Sequence, residues 1–164
     1  MLHEKRIIVC IAELVASRGA SILVAPSLGS CIGLALYDRE TKVGGLAHIL
    51  LDYAASYRES GQALGKYADT AIPELIRRMV YLGASTERIT AKIAGGGNMF
   101  GECIPAPIFD PGLRNAQAVS EMLRNIGIPL VAEDIGGYQY RTMEFALSSG
   151  EVVIKRWGEE DIIL

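Results

Sequence analysis

The chain has 164 residues, half of them hydrophobic, and a formal net charge of −3. This length is enough for one domain with its own core, so we expect a single domain over residues 1–164. The acidic balance argues against a uniformly basic nucleic-acid-binding protein. Cys10, Cys31 and Cys103 are an odd number of cysteines at wide spacing, which favours free thiols in a reducing cytoplasm.

The hydrophobic patterns predict strands towards both ends of the chain and two main helices. No secretory signal is evident, and the uncharged stretch 19–37 contains Pro26 and several glycines, which favours two buried strands over a membrane span. Pro73 falls inside the first helical pattern, so the helix either begins near Thr70 or kinks at the proline. The predicted elements are strands 6–12 and 21–25, a hairpin, loop 52–64, helix 66–82, strand 89–94, helix 112–126, strand 129–135 and a closing hairpin of 140–147 and 151–157. This order predicts an α+β fold, with mixed or mostly antiparallel sheet layers and two helices packed outside.

The most informative segment is the predicted hairpin that carries Cys31 and His48. Two apolar runs flank the polar residues Arg39 and Glu40. With a two-residue turn, Cys31 lies directly opposite His48, and their Cβ atoms are roughly 5 Å apart. A four-residue turn keeps both side chains on one face in diagonal positions, whereas an odd-numbered turn separates them. That face is lined mainly by small residues, which predicts a shallow groove for a polypeptide substrate.

A thiol beside an imidazole suggests covalent catalysis, with Cys31 as nucleophile and His48 as base. The backbone N–H groups of Ser30 and Cys31 are candidates for an oxyanion hole. The structural alternatives are a small buried hydrophobic residue for Cys31 and a satisfied core histidine for His48. Cys10, inside an apolar run, is assigned to that structural class. The spacing of the histidines and cysteines does not favour a metal site, and no cofactor is expected.

The glycine triplet 95–97 follows a predicted strand but lacks the residues of a phosphate-binding loop, so tight turns or close backbone approach are favoured. Gly136 and Gly137 are interpreted in the same way. For the acidic residues before them, Glu133 and Asp134, a solvated strand end is favoured over a role in orienting a partner.

Several motifs in order along the chain resemble the CheD family of chemoreceptor glutamine deamidases. They are LGSC at 28–31, the segment from Lys42 to His48, GKYADTA at 65–71, AKIAGGGNMF at 91–100, RNAQAV at 114–119 and AEDIGG at 132–137. The resemblance implies a cysteine-hydrolase fold, with the family's catalytic cysteine at Cys31 and its histidine at His48. It implies conversion of selected glutamines on receptor helices to glutamate, activity of some members on receptor methyl esters, and a CheC-type phosphatase as a partner.

Two positions depart from the family pattern. Ala25 stands where the family usually has a threonine that assists the histidine, so Ser27 or a backbone carbonyl is expected to orient His48. Tyr140 stands where a glycine is common. The Ala25 departure keeps open a second hypothesis, a regulator that binds CheC or receptors with little catalysis. A third is a thiol hydrolase acting on small amides or esters.

Overall fold

The computed structural model describes residues 4–57, 63–103 and 109–164. Within these residues the chain forms ten strands and two α-helices. The strands are β1 (Lys5–Ile8), β2 (Leu14–Arg18), β3 (Ser21–Leu28), β4 (Ile32–Asp38), β5 (Val43–Ile49), β6 (Thr90–Gly95), β7 (Leu130–Ile135), β8 (Arg141–Ala146), β9 (Val152–Arg156) and β10 (Ile162–Ile163); the helices are α1 (Ala68–Tyr81) and α2 (Pro111–Ile126).

The strands form two sheets of five. The outer sheet has the order β1-β3-β8-β9-β10 and the central sheet the order β2-β5-β4-β6-β7. Pairing is parallel between β1 and β3 and between β6 and β7, and antiparallel elsewhere. The prediction of an α+β fold with mixed, mostly antiparallel sheets is therefore confirmed.

The central sheet separates two apolar clusters. One cluster joins the sheet to both helices, through side chains such as Leu34, Leu75 and Val119. The other joins it to the outer sheet, through side chains such as Leu46 and Phe145. The fold is therefore three layers deep, with the β4–β5 hairpin in the middle layer and buried on both faces.

The prediction of a groove along the small-residue face of the hairpin is wrong, because the outer sheet covers that face. A Cβ on Gly33 would lie 2.8 Å from the sulfur of Met143, and one on Gly44 would collide with Leu147. The small residues let two sheets pack closely, which is the other use of a surface without side chains.

The two predicted helices form, with one difference in detail. Helix α1 begins at Ala68, two residues before Thr70, so Pro73 lies inside the helix instead of in its first turn. Gly83, at a φ of +103°, follows its end as predicted. Helix α2 begins at Pro111 after an Asp110 cap and ends at Gly127 in the left-handed conformation. No helix of the described residues is long and apolar enough to cross a membrane.

The predicted strand 6–12 is shorter than expected. Strand β1 ends at Ile8, and a loop leads to β2, which the sequence did not predict. Ala12 has a φ of +66°, and the carboxylate of Glu13 accepts the N–H of Cys10, so this segment turns back on itself. Cys10 is consequently exposed in a loop, and its assignment as a buried strand residue is wrong. In the predicted loop 52–64, residues 58–62 lie outside the described residues.

Candidate active site

The register of the hairpin places Cys31 and His48 on one face but not directly opposite. Asp38 pairs with Val43, so the turn has four residues, and His48 pairs with Gly33. The two-residue turn is therefore wrong and the four-residue alternative is correct. Lys42, at a φ of +56°, completes the turn in the left-handed region. Cys31, two residues before Gly33, lies diagonal to His48, within reach of a long side chain.

Cys31 lies immediately before β4, in a loop that is held by backbone contacts. The N–H of Gly97 donates to the carbonyl of Gly29 at 2.8 Å, and that of Gly96 donates to the carbonyl of Cys31 at 2.9 Å. Gly95 has a φ of +114°, and a Cβ there would collide with the Cys31 carbonyl oxygen. The prediction of close backbone approach at this glycine triplet is confirmed.

The loop is also held by Asn115 of α2, which the sequence reasoning missed. Its side-chain amide donates to the carbonyls of Ser30 and Leu50, both at 2.9 Å. The available signal was an asparagine one turn before Val119 on the apolar side of a predicted helix. Such a buried amide needs polar partners.

His48 is almost completely buried on β5, beneath the loop between β1 and β2. Its Nδ1 lies 3.1 Å from the carbonyl oxygen of Val9. A carbonyl only accepts, so this contact requires the tautomer with hydrogen on Nδ1, which leaves a lone pair on Nε2. Nε2 is buried and has no hydrogen-bond partner among the described residues. In particular, it makes no hydrogen bond with the thiol of Cys31. A buried acceptor without a partner is costly to fold around, so its presence here needs an explanation.

Either Ser27 or a backbone carbonyl was expected to orient His48, and the group in contact with its Nδ1 is the Val9 carbonyl. Ser27 is exposed, at a φ of +54°, in an irregularity of the β3–β8 pairing between Ala25 and Leu28. Ala25 is buried opposite Met143, with only a methyl group to offer. The bulge turns Ser27 outwards, which sequence spacing alone could not reveal.

Burial sets the protonation states of the pair. It raises the pKa of the Cys31 thiol, although the N–H of Cys31 itself opposes this by donating towards the sulfur. Burial lowers the pKa of His48, against the opposing effects of the Val9 carbonyl and the Glu13 carboxylate. Both shifts favour a neutral thiol and a neutral imidazole at rest.

The glycine pair 136–137 hydrogen-bonds to the segment that contains the glycine triplet 95–97. The N–H of Gly136 donates to the carbonyl of Gly95 at 2.9 Å, and Gly137 accepts the N–H of Asn98 at 2.8 Å. Asp134 binds the buried Arg141 at 3.0 Å and also binds Arg156, so its interpretation as a solvated strand end is wrong.

The loop's outer surface is covered by two side chains. A Cβ on Gly29 would lie 2.8 Å from Cε1 of Tyr140 and 3.0 Å from Met99. Cys31 itself is only 6% exposed and so offers little surface to a reactant. Among the described residues, no three His, Cys, Asp or Glu side chains come together as possible metal ligands.

Comparison with known proteins gives matches to one family. The family model described as CheD chemotactic sensory transduction matches residues 50–156. A protein of Clostridium botulinum strain Hall, named "Probable chemoreceptor glutamine deamidase CheD", is 44% identical over 154 residues, which is 94% of each chain. A protein of the same name from Caldanaerobacter subterraneus subsp. tengcongensis is 40% identical over 157 residues, which is 96% of each chain. These pairwise matches are long enough to include positions 31 and 48, which precede the family-model match.

Proposed function

We propose that this chain, which belongs to the CheD family, is a chemoreceptor glutamine deamidase that uses Cys31 as nucleophile and His48 as general base. The premise is family membership, and the relatives' printed names supply the substrate. The observation that carries the residue assignment is the buried, unpartnered Nε2 of His48, on the same hairpin face as the Cys31 thiol. Sequence identity to these relatives does not by itself show which cysteine reacts. The geometry favours the buried Cys31 over the exposed Cys10 and Cys103.

In the proposed reaction, Nε2 takes the thiol proton and the sulfur attacks the carboxamide carbon of a substrate glutamine. The oxyanion is stabilised by backbone N–H groups, for which Ser30 and Cys31 are the proposed donors. The imidazolium returns its proton to the nitrogen, ammonia leaves, and a thioester remains. Water, deprotonated by Nε2, then attacks the thioester. Glutamate is released and the thiol regains its proton, so the balance is glutamine plus water to glutamate plus ammonia.

The burial of the pair supports a side chain on a protein surface as substrate. Glutamine carries its amide on a two-methylene stem, which suits a buried cysteine of which only 6% is exposed. Water is largely excluded there, so the dipoles of the site act more strongly on the developing charge.

The regulator hypothesis rested on Ala25, and the Val9 carbonyl removes its main support because it supplies the orientation that Ala25 cannot. We further propose that residues 1–164 act as one deamidase domain in the cytoplasm, with receptor helices as substrate and a CheC-type phosphatase as partner. The partner rests on the family resemblance, and methyl-ester hydrolysis is a separate activity to assay.

The test is intact-mass analysis of a receptor cytoplasmic fragment after incubation with wild type, Cys31→Ala or Cys103→Ala. We expect a gain of about one dalton per modified site with wild type and with Cys103→Ala, and none with Cys31→Ala. Equal modification by Cys31→Ala would refute the assigned nucleophile. No modification by wild type, on a fragment from the same cell, would return the regulator hypothesis to first place.

A further inference from the structure

The β4–β5 hairpin opens at the point where Cys31 lies. The last pair of the ladder is Ile32 with Ile49. Beyond it, the N–H groups of Leu50 and Leu51 both donate to the carbonyl of Lys66 at 3.0 Å, while the carbonyl of Cys31 accepts from Gly96. The two arms therefore bind different neighbours, and the ladder no longer fixes the distance between Cys31 and His48.

Asn115 spans this opening with one amide group. Its two donated hydrogen bonds reach Ser30 on the cysteine arm and Leu50 on the histidine arm. The residue is 2% exposed, in a helix face that otherwise packs apolar side chains. Burying an amide without hydrogen-bond partners is unfavourable. The Asn115 amide can be buried here because both of its hydrogens are donated to carbonyl oxygens.

The bond to Ser30 also fixes the next N–H. A trans peptide is planar, so the Ser30 carbonyl and the Cys31 N–H point in opposite directions from the same plane. Holding that carbonyl towards α2 therefore holds the Cys31 N–H away from the helix. This N–H opposes the rise that burial causes in the pKa of the Cys31 thiol, and in the proposed reaction it is an oxyanion donor.

We propose that Asn115 is a positioning residue for the nucleophile: it fixes the Ser30–Cys31 peptide, and so aims the Cys31 N–H, and it holds the cysteine arm at a set distance from the histidine arm. Its effect on turnover rests on the proposed function, but its effect on the thiol does not.

The test is the rate at which iodoacetamide alkylates Cys31, measured from pH 6 to 10 by peptide mass spectrometry. The exposed Cys10 and Cys103 report on each sample as internal references. Asn115→Leu keeps the approximate size and removes both donors. We expect alkylation of Cys31 at neutral pH to fall about tenfold, and its pH midpoint to move up, while the reference cysteines do not change.

Two variants on the same helix separate positioning from stability. Val119→Ala removes buried apolar contacts one turn away, and Gln117→Leu makes the matched amide-to-leucine change on the exposed face. Both should leave the Cys31 pH midpoint as in wild type. An unchanged midpoint in Asn115→Leu, or an equal change in Val119→Ala, would overturn the proposal. If Asn115→Leu does not fold, Asn115→Ala is measured instead, because it removes both donors without adding bulk or charge; the same two outcomes decide.

The deamidation assay is run in parallel. We expect Asn115→Leu to lower kcat about tenfold or more with little change in KM, since the residue does not reach the surface. A wild type that shows no deamidation, together with the expected alkylation difference, would refute the proposed function and leave the positioning role intact.

Discussion

The β4–β5 hairpin has one buried ionisable side chain near each end, Asp38 and His48, and the surroundings of the two are opposite. At the turn, the fully buried carboxylate of Asp38 binds Arg88 through both oxygens, at 3.1 and 2.7 Å, and accepts the N–H groups of Glu40 and Ser85. At the open end, Nε2 of His48 is equally buried and has no partner among the described residues.

If the proposed mechanism holds, this difference separates a stabilising ion pair from the reacting groups within one hairpin. The partners of Asp38 favour its charged form, with Arg88 the largest cause, and hold its pKa well below the usual range. At the open end burial dominates and favours the neutral form of both Cys31 and His48. A group that is fully paired has no capacity left for a substrate, whereas an unpaired base costs stability and can take a proton.

The largest effect is expected from His48→Gln at the open end. Glutamine is close to histidine in size but is not a base, so kcat should fall about a thousandfold while the melting temperature falls by only a few degrees. Deamidation of a receptor fragment and thermal unfolding measure the two effects. A variant within tenfold of wild-type activity would remove His48 from the mechanism.

The pH profile of kcat/KM tests whether His48 acts as a neutral base. His48 acts as a base only when neutral, and burial lowers its pKa. Activity should therefore rise with pH along a limb that lies below the ordinary histidine value of about 6.5. That limb should be missing from the residual activity of His48→Gln. An acid limb above pH 7 in wild type would contradict a neutral resting imidazole.

The next largest effect is expected from Gly95→Ala. The substitution combines a positive φ with a collision against the Cys31 carbonyl, so the nucleophile loop must shift. We expect a loss of about 3 kcal/mol in unfolding free energy and a kcat reduced more than tenfold.

Gly83→Ala is the matched control, because Gly83 has a φ of +103° and a Cβ there meets nothing within 4 Å. It should cost about 1 kcal/mol, from backbone strain alone, and leave kcat unchanged. Equal losses of stability and activity in the two variants would show that strain, and not the contact with Cys31, explains Gly95.

At the turn end, Asp38→Asn should lower stability by about 2 kcal/mol and leave the activity of the folded protein within twofold of wild type. The amide retains one acceptor oxygen for two N–H groups and the guanidinium, and Arg88 can reach water because its side chain is 35% exposed. Chemical denaturation at pH 7 measures the change in stability, and the deamidation assay measures the change in activity. A large loss of kcat would mean that the two ends are coupled.

The pH dependence of this difference has a definite sign. The pKa of Asp38 is lower in the folded than in the unfolded chain, so its stabilisation is present above the unfolded value of about 3.9 and is lost as the pH falls below it. The stability gap between wild type and Asp38→Asn should therefore be constant from pH 7 to about 5 and narrow below pH 4. A gap that widens in acid would contradict the ion pair.

The sequence was sufficient for the elements with strong local signals. Helix α2 has an Asp110 cap, apolar residues at helical spacing and a terminal Gly127, and its predicted range agrees with the structure to one residue. The hairpin was also predicted, because two apolar runs flank a polar turn.

The predictions that failed depended on contacts between segments that are distant in the sequence. Asp38, which closes the four-residue turn, finds its partners at Ser85 and Arg88, 47 and 50 residues away. The small-residue face was covered by β8, more than 90 residues later in the chain. The orienting carbonyl of Val9 and the bridge from Asn115 are likewise long-range contacts, at separations of 39 and 85 residues. No local pattern encodes which backbone carbonyl a histidine will meet.

The smallest effect is expected from Ser27→Ala, which tests the orienting residue at the open end. The Val9 carbonyl already fixes Nδ1 at 3.1 Å, and Ser27 is exposed in a bulge, so kcat should stay within twofold of wild type. Ser27→Gly should in addition raise stability by up to about 1 kcal/mol, because a φ of +54° strains any residue with a Cβ. A tenfold loss of kcat in both variants, with an unchanged fold, would instead mean that the bulge rearranges when substrate binds and brings the serine hydroxyl to His48. The open end would then be completed by two groups, the substrate and Ser27, and its contrast with the fully paired Asp38 at the turn end would be a property of the resting enzyme alone.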